Sequence, residues 1–200
     1  MGATMLAAQP VGLPGLAALV AGGFLFGAAV VRARLTAPAS ERGGERAGAS
    51  VAGILLQMVA FASTGSGPVR IELDPVGTAA LAQGLVVAAL FAAAVALFLA
   101  ATRAMGETWS LVARTRADHR LVTEGVFARI RHPIYLAMGL FLAGLAVGLG
   151  HEANLLFALP LFALGTAIRV RAEERLLAQR FGEAYRRYAA GVKRFVPGLF

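Results

Sequence analysis

Apolar and polar positions divide the chain into five uncharged runs separated by short polar connections. The first run, residues 11–31, is 21 residues long and carries no charge. The second, 47–65, contains Gln57 but no charged group, and the third, 78–101, is 24 residues long and the strongest of the five. The fourth and fifth, 134–150 and 153–168, have 17 and 16 residues, with only His151 and Glu152 between them. A bilayer crossing takes about 20 apolar residues in a helix. The pattern therefore predicts an all-α integral membrane protein with five transmembrane helices, the last two forming a helical hairpin with a tight turn. Because those two runs are at the lower limit for a crossing, a re-entrant pair is the alternative, and the charge distribution favours crossing.

Eighteen of the 19 basic residues lie in segments 32–46, 103–132 and 169–194, and Arg70 alone lies elsewhere. With five spans these segments share one side, which the positive-inside rule makes cytoplasmic, so the N-terminus is expected outside and the C-terminus inside. An even number of spans would destroy the bias. The net charge of +8 thus reflects membrane topology. No basic stretch is interleaved with aromatics as in a single-strand binder, and nucleic acid is not expected as a partner.

Composition agrees with this picture, since 58% of residues are hydrophobic and only 15% charged, against about 25% charged in soluble domains. The absence of cysteine excludes disulfides, thiolate nucleophiles and cysteine zinc sites. The first basic residue is Arg32, so no positive n-region precedes the first run and a cleaved signal is not expected. Ala/Gly/Arg-rich usage suggests a GC-rich bacterium and hence the inner membrane.

Within the spans, Gly23 to Gly27 and Gly144 to Gly148 are small-xxx-small patterns, read as sites of close intramolecular helix packing. Pro160 is expected to kink the fifth span. Gln57 and Gln83 are read as interhelical hydrogen-bond partners. Segment 32–50 reads as a flexible loop, and 70–74 as a short extracytoplasmic strand or turn.

Candidate chemistry gathers around the last two runs. Arg131-His132-Pro133-Ile134-Tyr135 opens the fourth, and Glu173-Glu174 follows the fifth. Titratable groups so close to a bilayer are costly unless used. Pro133 suits a first helical turn, where a missing N–H goes unnoticed, and the helix N-terminus offers free N–H groups to an anion. Arg169 and Glu173 are four apart and share one helix face. By spacing alone they read equally as a solvated ion pair or as a ligand pair for a cationic or hydroxyl-rich molecule. Trp109, Arg103, Arg114 and Arg116 read as an interfacial anchor and topology signals. No P-loop, Gly-x-Gly-x-x-Gly or His-Glu-x-x-His motif occurs. His119 and His132 lie on the opposite side from His151, so a three-histidine metal site is excluded.

Trp109-Ser-Leu, Asp118-His119-Arg120-Leu121-Val122-Thr123-Glu124-Gly125-Val126-Phe127, Arg131-His132-Pro133-Ile134-Tyr135, Glu173-Glu174 and Phe181-Gly182-x-x-Tyr185-x-x-Tyr188 together resemble the isoprenylcysteine carboxyl methyltransferase family. The likeness covers roughly 103–197. It divides the chain into an N-terminal three-helix region, 1–102, and a catalytic region, 103–200, made of a cytosolic loop, the hairpin and a cytosolic C-terminal helix. The resemblance implies a methyltransferase that binds S-adenosyl-L-methionine at cytosolic segments and takes a lipophilic or small acceptor from the membrane. It assigns the cofactor to His119, Arg120, Leu121, Val122 and Phe127, then His132, Pro133, Ile134, Tyr135 and Glu173, with Arg169 facing a substrate carboxylate. Phe127 stands where the family often has Tyr, and Ala137 where it often has Gly.

A carboxylate acceptor needs no base and would be oriented by Arg169. A thiol or amine would need one, and His132 is the nearest candidate. NADPH-dependent sterol-reductase-like membrane enzymes resemble the same region, but they typically carry Asn at the position of Ile134 and a Gly-Glu shortly afterwards. A non-catalytic membrane protein retaining the fold is the third reading.

Overall fold

The structure is a computed structural model and describes residues 8–36, 48–106 and 121–195. Its architecture is all-α. Helices α1 (Leu13–Thr36), α2 (Gly48–Gly65), α3 (Thr78–Met105), α4 (Pro133–Leu149), α5 (Leu155–Phe181) and α6 (Glu183–Gly191) carry almost all of it. α1, α3 and the stretch Glu152–Phe181 are long and apolar enough to cross a membrane, whereas the apolar helices α2 and α4 are shorter. The outer surface presents Phe24, Leu35, Leu85, Leu156 and Phe157, each at least 65% exposed. Most residues of the interior are small, as expected where hydrocarbon replaces water and close packing must hold the helices together.

Successive long helices alternate in direction. The start of α1 lies beside the start of α3, where Gly12 N–H donates to Gln83 Oε1 at 2.8 Å. Further along, Ala29 and Ala33 of α1 pack against Phe98 of α3, so the two run parallel and α2 must return between them. α4 starts near Phe98 and ends against the start of α1, where Gly148 abuts Leu19. α2 and α5 are antiparallel: Gln57 pairs with Thr166, and Ser63 with Asn154.

Packing refines the hairpin. α5 packs chiefly on α2 and α4 chiefly on α3, and the two meet each other through Leu142, Ala158 and Phe162. Phe141 of α4 joins the groups, with its ring 4.9 Å from Phe26 and Phe91 and 5.8 Å from Phe61. Gly144 leaves room for the Phe91 ring, and Gly148 for Leu19, as the small-residue pattern implied. The α1 pattern is a correction, because Gly23 and Gly27 face open space while Gly15 and Gly22 meet Gln83 and Phe91. Pro160 stands inside α5 without interrupting it.

The end away from the basic segments is tied by caps. Gly150 adopts the left-handed conformation (φ 71°) that closes α4, with its carbonyl accepting from Gln9 N–H at 2.8 Å. His151 faces the carbonyls of Thr64 and Pro68 at 2.9 and 3.1 Å, and Asn154 donates to those of Ser63 and Ser66. These side chains satisfy carbonyls that the end of α2 leaves open. Arg70–Ile71 (β2) is indeed a short strand, pairing in parallel with Pro10–Val11 (β1). Gln83 also donates to Val147 O at 3.0 Å, so both glutamines join helices as read from the sequence.

Candidate active site

At the opposite end, the start of α4 and the last turns of α5 converge. Pro133 occupies the first turn of α4 after His132, whose non-helical backbone ends the connection. α5 continues well past the apolar run, carrying Arg169 and, one turn later, Glu173 and Glu174. Tyr135 O–H donates to Glu173 Oε1 at 2.6 Å. His132 lies between the two carboxylates, with Nε2 3.1 Å from Glu174 and Nδ1 3.5 Å from Glu173.

The two glutamates differ in their partners. Glu174 meets Arg131 Nη1 at 3.2 Å and His132, and accepts a bidentate pair from Arg194, Nε at 3.0 Å and Nη2 at 2.6 Å. Such forked pairing fixes geometry as well as charge. Glu173 has only the Tyr135 hydroxyl and the more distant His132 nitrogen among these, and its side chain is twice as exposed, 28% against 14%. Glu173 is thus the carboxylate open to an incoming cation.

His132 is buried, which by itself would lower its pKa. Hydrogen bonds and charge attraction from Glu173 and Glu174 outweigh that and raise it above the ordinary 6.5. With both nitrogens directed at carboxylates, the ring is a charged strut.

Arg169 is 6% exposed. Its Nη1 donates to Gln57 Oε1 at 2.8 Å, and its guanidinium carbon lies 5.0 Å from the centre of the Tyr135 ring. The cation therefore sits one aromatic ring away from the carboxylate pair, at the junction of α2, α4 and α5.

A strap from the C-terminal segment covers the cluster. After α6, Lys193 O accepts from Arg131 N–H at 2.8 Å and Arg194 O from His132 N–H at 3.0 Å, forming a parallel bridge at Ile130. Phe195 brings its ring to 6.0 Å from His132. Tyr188 O–H donates to Phe127 O at 2.7 Å, and Tyr185 lies 3.5 Å from Arg131 Nη1. Burial pushes both phenols up to about 12, so they remain hydrogen-bond donors at neutral pH.

Of the residues singled out in the sequence, His132, Tyr135, Glu173 and Arg169 come together here. Pro133 is buried beside them as the first helical residue. Ile134 turns instead to the apolar cluster of Ala29, Ala33, Phe98 and Ala137, so only its backbone faces the site's end of the helix. Phe127 is buried under the strap through its carbonyl, while Leu121 and Val122 are half-buried in irregular chain. His119 and Arg120 lie outside the described residues, as do Trp109, Arg114, Arg116 and Asp118. Arg194 is a residue of this cluster that the sequence reading missed, and Gln57, read there first as an interhelical hydrogen-bond partner, contacts Arg169 as well. Only its three-dimensional partner reveals Arg194, because it stands in a stretch with an ordinary structural explanation.

The chain matches the phospholipid methyltransferase family over residues 82–184, which covers α4, nearly all of α3, all of α5 and the start of α6. The chain belongs to that family. It is also 33% identical over 95 residues to the protein-S-isoprenylcysteine O-methyltransferase of Schizosaccharomyces pombe, a match covering 46% of this chain and 40% of that relative. The chain thus spans well under half of the relative's length. The resemblance to isoprenylcysteine carboxyl methyltransferases stands on these matches, and the segment matched by the family contains both carboxylates, His132 and Arg169.

Proposed function

We propose that this chain is an integral membrane methyltransferase that uses S-adenosyl-L-methionine to methylate the carboxylate of a lipophilic acceptor at the cytoplasmic face. The observation that carries the reading is the unequal pair of glutamates beside a buried arginine, within a methyltransferase family match. The relative named above acts, by its name, on a lipid-linked cysteine.

The residues suit the cofactor. Its sulfonium and ammonium are cationic, and Glu173 is the carboxylate with room for a cation. Arg131 Nε is buried without a partner among the described residues, a donor that an anionic group of a ligand would satisfy. Glu173, Tyr135 and His132 would hold the cofactor, together with His119, Arg120, Leu121, Val122, Phe127, Pro133 and the backbone of Ile134. A bound sulfonium supplies an activated methyl group, so the chain's task is to orient the acceptor and exclude water. Alignment of this kind supplies roughly 7–11 kcal/mol of a barrier. Arg169 orients an acceptor carboxylate, and Tyr135 separates it from Glu173.

His132 bears on the acceptor's chemistry. A thiol or amine would need a base, whereas both His132 nitrogens already face carboxylates. That favours a carboxylate acceptor. The family match and the absence of the Asn found in reductase-type motifs favour methyl transfer over NADPH chemistry.

The same reading takes α1 to α5 as five crossings, with 1–102 as a supporting three-helix region and 103–200 as the catalytic region. Its support is the alternation of direction. α2, at 18 residues, and α4, at 17, return along the neighbours that are long enough to cross. A rise of 1.5 Å per residue makes them roughly 26 Å long, close to the hydrocarbon thickness.

Calorimetry on the purified protein in lipid nanodiscs tests the cofactor. Wild type is expected to bind S-adenosyl-L-methionine, and Glu173→Ala and His132→Ala to abolish binding. Normal affinity in both variants would overturn the assignment. Tritium transfer from labelled cofactor into membrane lipids, run beside NADPH oxidation, separates methyltransferase from reductase.

A further inference from the structure

We propose that α2 forms part of the acceptor site: Gln57 positions the Arg169 guanidinium, and the Ser50 hydroxyl is a second ligand for the acceptor carboxylate. This rests on the carboxylate-acceptor reading and goes beyond it, because it assigns binding residues to a helix upstream of the family match.

Gln57 is 2% exposed, and its orientation is determined by its neighbours. Arginine has only donors, so the Gln57 oxygen must face Arg169 Nη1 (2.8 Å) and its nitrogen must donate to Thr166 Oγ1 (2.8 Å). The contact is possible because α2 and α5 approach closely. A Cβ on Gly165 would lie 2.7 Å from Gly53 O, and one on Gly53 would overlap the Arg169 stem. Gln57 is neutral and leaves the guanidinium its charge. It fixes the direction of the cation without neutralising it.

Ser50 stands seven residues before Gln57, nearly two helical turns, and therefore on the same face. Gly53, one turn from Ser50, is the residue pressed against Arg169. Ser50 is fully buried, and its hydroxyl has no hydrogen-bond partner among the described residues. A buried hydroxyl left unpaired is destabilising and is rarely kept without a use. Because α2 and α5 are antiparallel, moving from Gln57 toward Ser50 is moving from Thr166 toward Glu173, into the site. A carboxylate held by Arg169 is an acceptor for that hydroxyl.

The test measures equilibrium binding in nanodiscs of an N-acylated S-farnesylcysteine with a free carboxylate, and of the same molecule capped as its carboxamide. Ser50→Ala is expected to weaken the carboxylate probe at least about tenfold, the scale of one hydrogen bond to a charged group. It should leave the carboxamide and S-adenosyl-L-methionine affinities unchanged and keep or raise the thermal midpoint, because an unpaired hydroxyl is removed. Gln57→Glu holds Arg169 in place but cancels its charge, and is expected to weaken the carboxylate probe by about tenfold or more. A Ser50→Ala protein with unchanged carboxylate affinity, or with both probes weakened equally, overturns the proposal, even if the Gln57 variant fails to fold. A wild type that does not prefer the carboxylate also overturns it. Loss of S-adenosyl-L-methionine binding by wild type would instead sink the methyltransferase reading.

Discussion

Glu173 and Glu174 are adjacent in sequence, yet three cationic side chains hold one and a phenol holds the other. The sequence marked the pair as chemically significant through its position, but nothing in a Glu-Glu dipeptide says which member is structural. That depends on Arg194, 20 residues away in a segment whose basic residues are explained well enough by topology. His132 links the two roles, and its raised pKa has a consequence for stability. A folded value above 6.5 means that its stabilising charge is fully present below about pH 6.5 and is lost as pH rises through the folded value. The thermal midpoint in detergent is therefore expected to fall as pH rises from about 6 to 9. His132→Asn, which cannot titrate, should flatten that slope. A wild-type midpoint that rises over this window would contradict the charged strut.

Helices were legible as elements because unbroken apolar runs of such length have few alternatives, and Pro133 and Gly150 marked the limits of α4. Helix faces were less legible. In α1 the recognisable glycine spacing, Gly23 to Gly27, points outward, and the functional glycine is its neighbour Gly22 against Phe91. An Ala/Gly-rich run offers several such spacings, and only the partner's bulk selects one. Gly22→Ala is accordingly expected to lower stability by about 1–3 kcal/mol through overpacking. Gly23→Ala meets nothing within 4 Å and should be neutral or stabilising by up to about 1 kcal/mol. Unfolding of the two variants in detergent, measured side by side, checks the face assignment, and equal losses would refute it. The hairpin shows the same limit. The short connection between the two apolar runs does not say which helices α4 and α5 lean on, which is set by Phe141, Gln57 and the Gly53–Gly165 approach.

At the scale of the molecule the two ends divide the work. One is closed by side chains that cap carbonyls, His151 and Asn154 on α2, and by the short β1–β2 pair, an arrangement suited to rigidity. The other gathers the titratable groups beneath a strap from the C-terminal segment. The charge count predicts which end faces the cytoplasm, and the helix directions bear on the number of crossings: α1 and α3 start at the same end, so the chain runs back between them. The cysteine-free sequence makes this testable without background. Val76, 80% exposed between β2 and α3, and Arg187, exposed on α6, are suitable positions for single cysteines. With five crossings, Val76→Cys should react with a membrane-impermeant maleimide in intact cells, and Arg187→Cys only after permeabilisation. If α2 instead dipped into the bilayer and returned, Val76→Cys would be shielded until the cells were opened. That result would reduce the crossings to those of the longer helices and move the acceptor's route of entry to another face.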